Sequence, residues 1–146
     1  MANLVLLSPL ARYSDHGLLL LRLTVGTFLI FGVWDNIVSS ERMDEFEAFL
    51  EKFGFAAPTF MARLSVYTQF GIGLAFITGG LTRWAGILCA INFAVAVIMV
   101  DRFAGFRGAF PSLCLIAIGI YLALYGSGRF GLDTWLRRSL SSGGND

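Results

Sequence analysis

Apolar residues in this chain gather in four long blocks, roughly 18–38, 60–81, 84–101 and 109–127, divided by short polar breaks. Each block approaches the ~20 residues that carry an α-helix across a ~30 Å hydrocarbon layer. A bilayer accepts such helices because each satisfies its own backbone hydrogen bonds. The blocks therefore predict an all-α integral membrane protein, a bundle of four transmembrane helices in one domain spanning residues 1–146. An even number of crossings returns both termini to one side.

The break between the first two blocks has its own period. In SSERMDEFEAFLEKFGF, Phe46, Phe49, Leu50 and Phe53 recur at i, i+3, i+4 and i+7, while Glu45, Glu47, Glu51 and Lys52 take the opposite face. That pattern predicts an amphipathic helix opened at Ser39/Ser40, closed at Gly54 and lying in the interface. Pro58 restarts the chain into the second spanning helix. In the second and third blocks small residues recur every four positions, as Gly71, Ala75, Gly79 and as Gly86, Ala90, Ala94. The two stripes run in mirror order about the Leu81–Arg83 turn. Small residues at this spacing let membrane helices approach closely, so a tight seam between the second and third helices is expected.

Composition agrees with the pattern. Of 146 residues 56% are hydrophobic and 14% charged, and the mean hydropathy is +0.71. A net charge of +1 gives no reason to expect a nucleic-acid partner. The N-terminal stretch lacks a basic segment ahead of its apolar residues and is read as a short surface lead-in rather than a signal peptide. The C-terminal SSGGND is read as a polar, frayed tail. Arg12, Arg22, Arg83, Arg129, Arg137 and Arg138 fall on the side of the termini. Arg42, Lys52, Arg63, Arg102 and Arg107 fall on the other, with Glu41, Asp44, Glu45, Glu47 and Glu51. The basic bias places both termini in the cytoplasm.

Ionisable and polar residues within membrane helices are the first candidates for function. Arg22, about one turn into the first helix, is expected either to snorkel or to pair with Asp133 and pin the C-terminal segment beneath the bundle. Asp35, Asn36, Arg63, Asp101 and Arg102 are expected near one another at the opposite membrane surface. Gln69 and Asn92 lie deeper; they are either interhelical glue or polar contacts for a quinone or lipid, with Trp34, Asp35 and Tyr67 as further candidate lining residues. No metal site is expected: His16 is the sole histidine, and neither HExxH nor CxxC occurs. Cys89 and Cys114 sit near opposite ends of their helices, about 15 Å apart in depth at the helical rise, too far for a disulfide.

Several segments resemble the DoxX family. RLTVGTFLIFG (Arg22, Gly26, Phe28, Gly32) is similar to the family's opening helix and GFAAP to the approach to its second. GGLTRWAG (Gly80, Leu81, Thr82, Arg83, Gly86) is similar to its central turn, and YGSGRFGLD (Gly126, Gly128, Arg129, Leu132, Asp133) to its closing motif. The resemblance implies a four-helix membrane bundle in the bacterial cytoplasmic (inner) membrane. It further implies association with quinone-linked or other redox assemblies, although many members have no assigned activity. The chain departs from the family at Phe31, where many members carry histidine, at Trp34–Asn36, where a basic residue is common, and at Gln69, where a carboxylate is common. Two readings result. One is a non-catalytic accessory subunit of a redox-linked membrane complex, with a protein partner besides lipid and self-association left open. The other is a quinone- or lipid-binding oxidoreductase component, with its site between the first and second spanning helices. A transporter is disfavoured, since neither an inverted repeat nor a mid-membrane charge is evident.

Overall fold

A computed structural model describes residues 8–142. A short 3₁₀ turn, Ser8–Tyr13, leads into α1 (Ser14–Val38). The interfacial helix α2 (Ser40–Lys52) follows, then α3 (Pro58–Thr78) and α4 (Thr82–Met99). A second 3₁₀ turn, Asp101–Ala104, leads to α5 (Gly105–Tyr125), and α6 (Leu132–Ser142) closes the described chain. Helices α1, α3, α4 and α5 are long and apolar enough to cross a membrane. The predicted bundle, its interfacial helix and its order are all present.

Local chemistry explains the breaks. The Ser39 side chain accepts the Arg42 N–H at 3.4 Å, capping α2. Gly54 follows α2 in the left-handed region at φ 74, and Pro58 occupies the first turn of α3. At the tight turn between α3 and α4, Gly79 ends α3 with φ 70 and donates its N–H to Ala75 O at 2.8 Å. Helix α5 begins at Gly105 rather than 109 and carries Pro111 within it. A hydropathy reading omits such a polar first turn because its residues face headgroups rather than hydrocarbon.

Packing departs from expectation in an instructive way. The closest approaches are not between α3 and α4. A Cβ built on Gly26 would lie 2.7 Å from Gly73 O, and one on Gly73 would lie 2.8 Å from Gly26 O, so α1 and α3 touch through backbone. On the other side, a Cβ on Gly86 would lie 2.5 Å from Gly119 O, and one on Gly119 would lie 2.8 Å from Gly86 O. The spans are therefore two tight pairs, α1/α3 and α4/α5. The expected seam is corrected accordingly. Gly71 has nothing within 4 Å of its would-be Cβ and faces outward, Gly79 serves as a helix cap, and Gly86 and Ala90 pack on Gly119 of α5 rather than on Gly79 and Ala75. Ala75 and Ala94 are half-buried. A four-residue spacing identifies a face on which small residues lie, but not which neighbour meets it.

Two cores result. The larger gathers Leu18, Val25, Leu29, Ile72, Phe76, Ala85, Cys89, Leu115 and Leu122 from all four spans. The smaller, of Val33, Met43, Leu50, Ala62 and Val66, seats α2 on α1 and α3. Cys89 is buried, its thiol directed at Leu115 O at 3.6 Å, and both cysteines are free.

Candidate ligand groove and the capped membrane end

Because α3 and α4 lack a glycine contact of their own, a groove opens between the two tight pairs at the end away from their shared turn. Its volume is about 470 Å³, within the range of small-molecule sites. The walls are mostly apolar: Met61 and Leu64 on α3, Leu88, Ile91, Val95 and Ala96 on α4. Leu64, Leu88, Ile91 and Val95 are exposed along the rim, so the groove opens sideways, toward the hydrocarbon region. Helix α2 roofs one end with Phe46, Phe49 and Leu50. Ring contacts continue from Phe46 to Phe49 at 6.3 Å, to Phe53 at 4.8 Å and to Phe103 at 6.3 Å. That aromatic ladder ties the roof to the loop between α4 and α5, bridging the two pairs. The amphipathic period of the sequence thus builds both a membrane-surface helix and a lid.

One polar cluster interrupts the apolar wall. Gln69 Nε2 donates to Ser65 Oγ at 3.0 Å, and Ser65 Oγ donates to Asn92 Oδ1 at 3.1 Å. Asn92 lies ten residues into α4, about 15 Å along the helix axis, near the middle of a ~30 Å hydrocarbon layer. Among the described residues the Asn92 amide nitrogen and the Gln69 amide oxygen bond to nothing further, which leaves a donor and an acceptor for an occupant. Toward the roofed end, Asp101 also lines the groove, with Oδ2 buried and unpartnered among the described residues.

The other candidate residues separate. Gln69 and Asn92 meet, but between α3 and α4 rather than between the first two spanning helices, where the site was expected, because α1 and α3 are closed against each other by Gly26 and Gly73. Trp34 is exposed and stands against Phe70 at 6.4 Å on the α1/α3 surface, outside the groove lining. Asp35 is exposed and accepts the Asn36 N–H at 3.0 Å. Tyr67 is exposed on a shallow hollow of α3 that it shares with Arg63. The expected five-residue polar cluster does not form: Arg63 pairs with Glu47 of α2 at 3.3 Å, and Arg102 lies over the Phe103 ring at 4.6 Å. Ser65, one helical turn before Gln69, was not singled out in the sequence; its position one turn from a deep glutamine is the signal that could have found it.

Arg22 also departs from expectation. It does not snorkel but is fully buried. Its Nε donates to Phe76 O at 2.9 Å, Nη1 to Ser127 O at 2.6 Å and Nη2 to Ile77 O at 3.4 Å. Two of these acceptors are orphan carbonyls of the last turn of α3, where a cation also suits the helix dipole. Gly79 leaves the room, since a Cβ there would collide with the guanidinium. Asp133 forms no ion pair with Arg22. It accepts the N–H groups of Leu81 at 2.7 Å and Thr82 at 3.0 Å, capping α4 and holding Leu81 in its left-handed conformation at φ 52. Arg83 reaches Ala123 O at 3.1 Å and Tyr125 O at 3.4 Å, at the end of α5. The C-terminal segment is thus pinned beneath the bundle, through backbone groups in place of a salt bridge.

Fold and site together define a multi-pass, all-α membrane protein with a lateral groove and a heavily capped end. The family model DoxX matches residues 17–102, and the chain belongs to that family. Neither a curated protein nor a solved structure matches it. Of the motif residues that carry the resemblance, Arg22, Arg83 and Asp133 all bond helix-terminal backbone at the capped end. Their contacts account for architecture, while the groove lies elsewhere.

Proposed function

We propose that the groove between α3 and α4 holds a membrane-soluble molecule of the quinone class, and that the chain is a ligand-binding, non-catalytic component of a redox-linked membrane complex. The observation that carries this reading is the Ser65–Gln69–Asn92 network on an otherwise apolar, laterally open wall. A quinone is a flat apolar ring with acceptor carbonyls, and the free Asn92 N–H groups are the complementary donors. Lateral access suits a ligand that arrives through the hydrocarbon layer. A fully apolar occupant such as an acyl chain would leave the network's donors unsatisfied, which costs binding free energy.

Photolabelling tests the reading. Protein in nanodiscs is irradiated with an azido-quinone and digested, with or without excess unlabelled quinone. Saturable label on peptides covering 61–69 and 88–96 supports it. Label that is not competed, or that falls on the α1/α3 surface, overturns it. We propose also that both termini face the cytoplasm of a bacterial inner membrane, on the count of six basic residues at their end against five at the other.

A further inference from the structure

A second cavity, of about 620 Å³, lies at the capped end between α6 and the ends of α4 and α5. We propose that it binds the phosphate headgroup of an acidic phospholipid. Arg83, Arg129 and Arg137 line it together with Trp84, Leu136 and Leu140. Two carboxylates share the cavity, and both are engaged. Asp133 spends both oxygens on the Leu81 and Thr82 N–H groups. Asp15 accepts the Arg129 N–H at 3.3 Å and lies 3.9 Å from its guanidinium. The arginines retain donors. Arg83 uses two of its five N–H groups on the end of α5, which holds its guanidinium in place without exhausting it. Arg129 and Arg137 are exposed at the cavity.

Depth identifies the source of the phosphate. Trp84 and Tyr125 are exposed where α4 and α5 end, the level at which aromatic side chains meet headgroups. Helix α6 was not expected from the sequence, yet Leu132, Trp135, Leu136 and Leu140 are exposed along it at helical spacing with Arg137 beside them. Such a helix lies in the interface plane. The cavity beneath it therefore sits at headgroup height, with apolar Leu136 and Leu140 for the start of the acyl chains and arginines for the phosphate. Basic pockets at helix ends recognise anionic lipids in this manner. The opposite membrane end, rich in Glu41, Asp44, Glu45, Glu47 and Glu51, carries the reverse charge.

Native mass spectrometry of the full-length protein in neutral detergent tests the assignment, with equal additions of phosphatidylglycerol and phosphatidylcholine. Phosphatidylglycerol adducts are expected to dominate. Arg137→Gln should weaken them about five-fold, and Arg129→Gln with Arg137→Gln about twenty-five-fold, from the contribution of one basic residue near an anionic surface. Lysine at both positions should restore most of the loss. The Arg137→Gln single variant serves as the readout if the double variant does not fold. Equal retention of the two lipids, or unchanged phosphatidylglycerol binding in Arg137→Gln, overturns the proposal. So does complete displacement of phosphatidylglycerol by millimolar inorganic phosphate, which would mark a site for soluble anions.

Discussion

Replacing Arg22 with methionine isolates the role of its guanidinium, because methionine keeps much of the side-chain length. The structure gives Arg22 two short hydrogen bonds, 2.9 Å to Phe76 O and 2.6 Å to Ser127 O, and a longer one of 3.4 Å to Ile77 O. A hydrogen bond to a charged group contributes about 1.5–3 kcal/mol, and a buried carbonyl left without a donor costs about 1–3 kcal/mol. Methionine also relieves the desolvation of a buried charge, which offsets part of the loss. The net expectation is a destabilisation of about 2–4 kcal/mol, read by reversible unfolding in mixed micelles. Arg22→Lys should recover part of it, since an ammonium lacks the fork that reaches the end of α3 and the Ser127 carbonyl after α5 at once. Asp133→Asn adds a second test. Arg22 and Asp133 bond different backbone groups, so the double variant should be less stable than either single variant. Arg22→Met melting like the native protein would refute the capping account. A double variant more stable than the Arg22 single would restore the direct ion pair that the sequence suggested.

The glycine seams predict opposite outcomes for similar substitutions. Gly86→Ala and Gly26→Ala should each cost about 1–3 kcal/mol by overpacking backbone against backbone, whereas Gly71→Ala, with open space around it, should be neutral or slightly stabilising in the same unfolding assay. Cys89 and Cys114 should migrate as unlinked thiols in non-reducing peptide mapping, with Cys89 resisting maleimide in the folded state; a linked peptide would contradict the packing of α4 on α5. Cysteines introduced at positions 48 and 137 should label from opposite faces of the membrane, and labelling of both from one face would contradict the four-span topology.

Much of the fold was legible because a bilayer imposes a simple requirement on length and apolarity. The four spans, the capped start of α2 at Ser39 and its glycine stop at Gly54 all follow from local chemistry. The pairing of helices was not legible. Gly26, Gly73, Gly86 and Gly119 meet across pairs distant in sequence, and no local period distinguishes them from Gly71, which faces outward. Half of the groove was visible, since Gln69 and Asn92 are unusual at their depth. Its roof was half-visible too: the phenylalanine face of α2 marks an amphipathic helix but not that it reaches Phe103. Tyr67 was drawn in by proximity to Gln69, and Trp34 and Asp35 by their place on the first spanning helix, where the site was expected to border the second, whereas helix rotation carries all three to other faces. Arg22 was misread for a related reason: its carbonyl partners are backbone atoms, and backbone leaves no mark in a sequence.

The groove's occupant remains the most direct test of the functional account. Protein purified from its native membrane in mild detergent is extracted with organic solvent, and quinone is quantified per chain for the native protein and for Asn92→Leu. Losing the hydrogen bond of Asn92 at about 1–1.5 kcal/mol predicts a roughly ten-fold weaker hold. The account therefore predicts near-stoichiometric quinone in the native protein and a strong reduction in Asn92→Leu, with a loss of stability limited to the ~1 kcal/mol of the Ser65–Asn92 bond between α3 and α4. Quinone absent from the native protein, or retained equally by both, would contradict it.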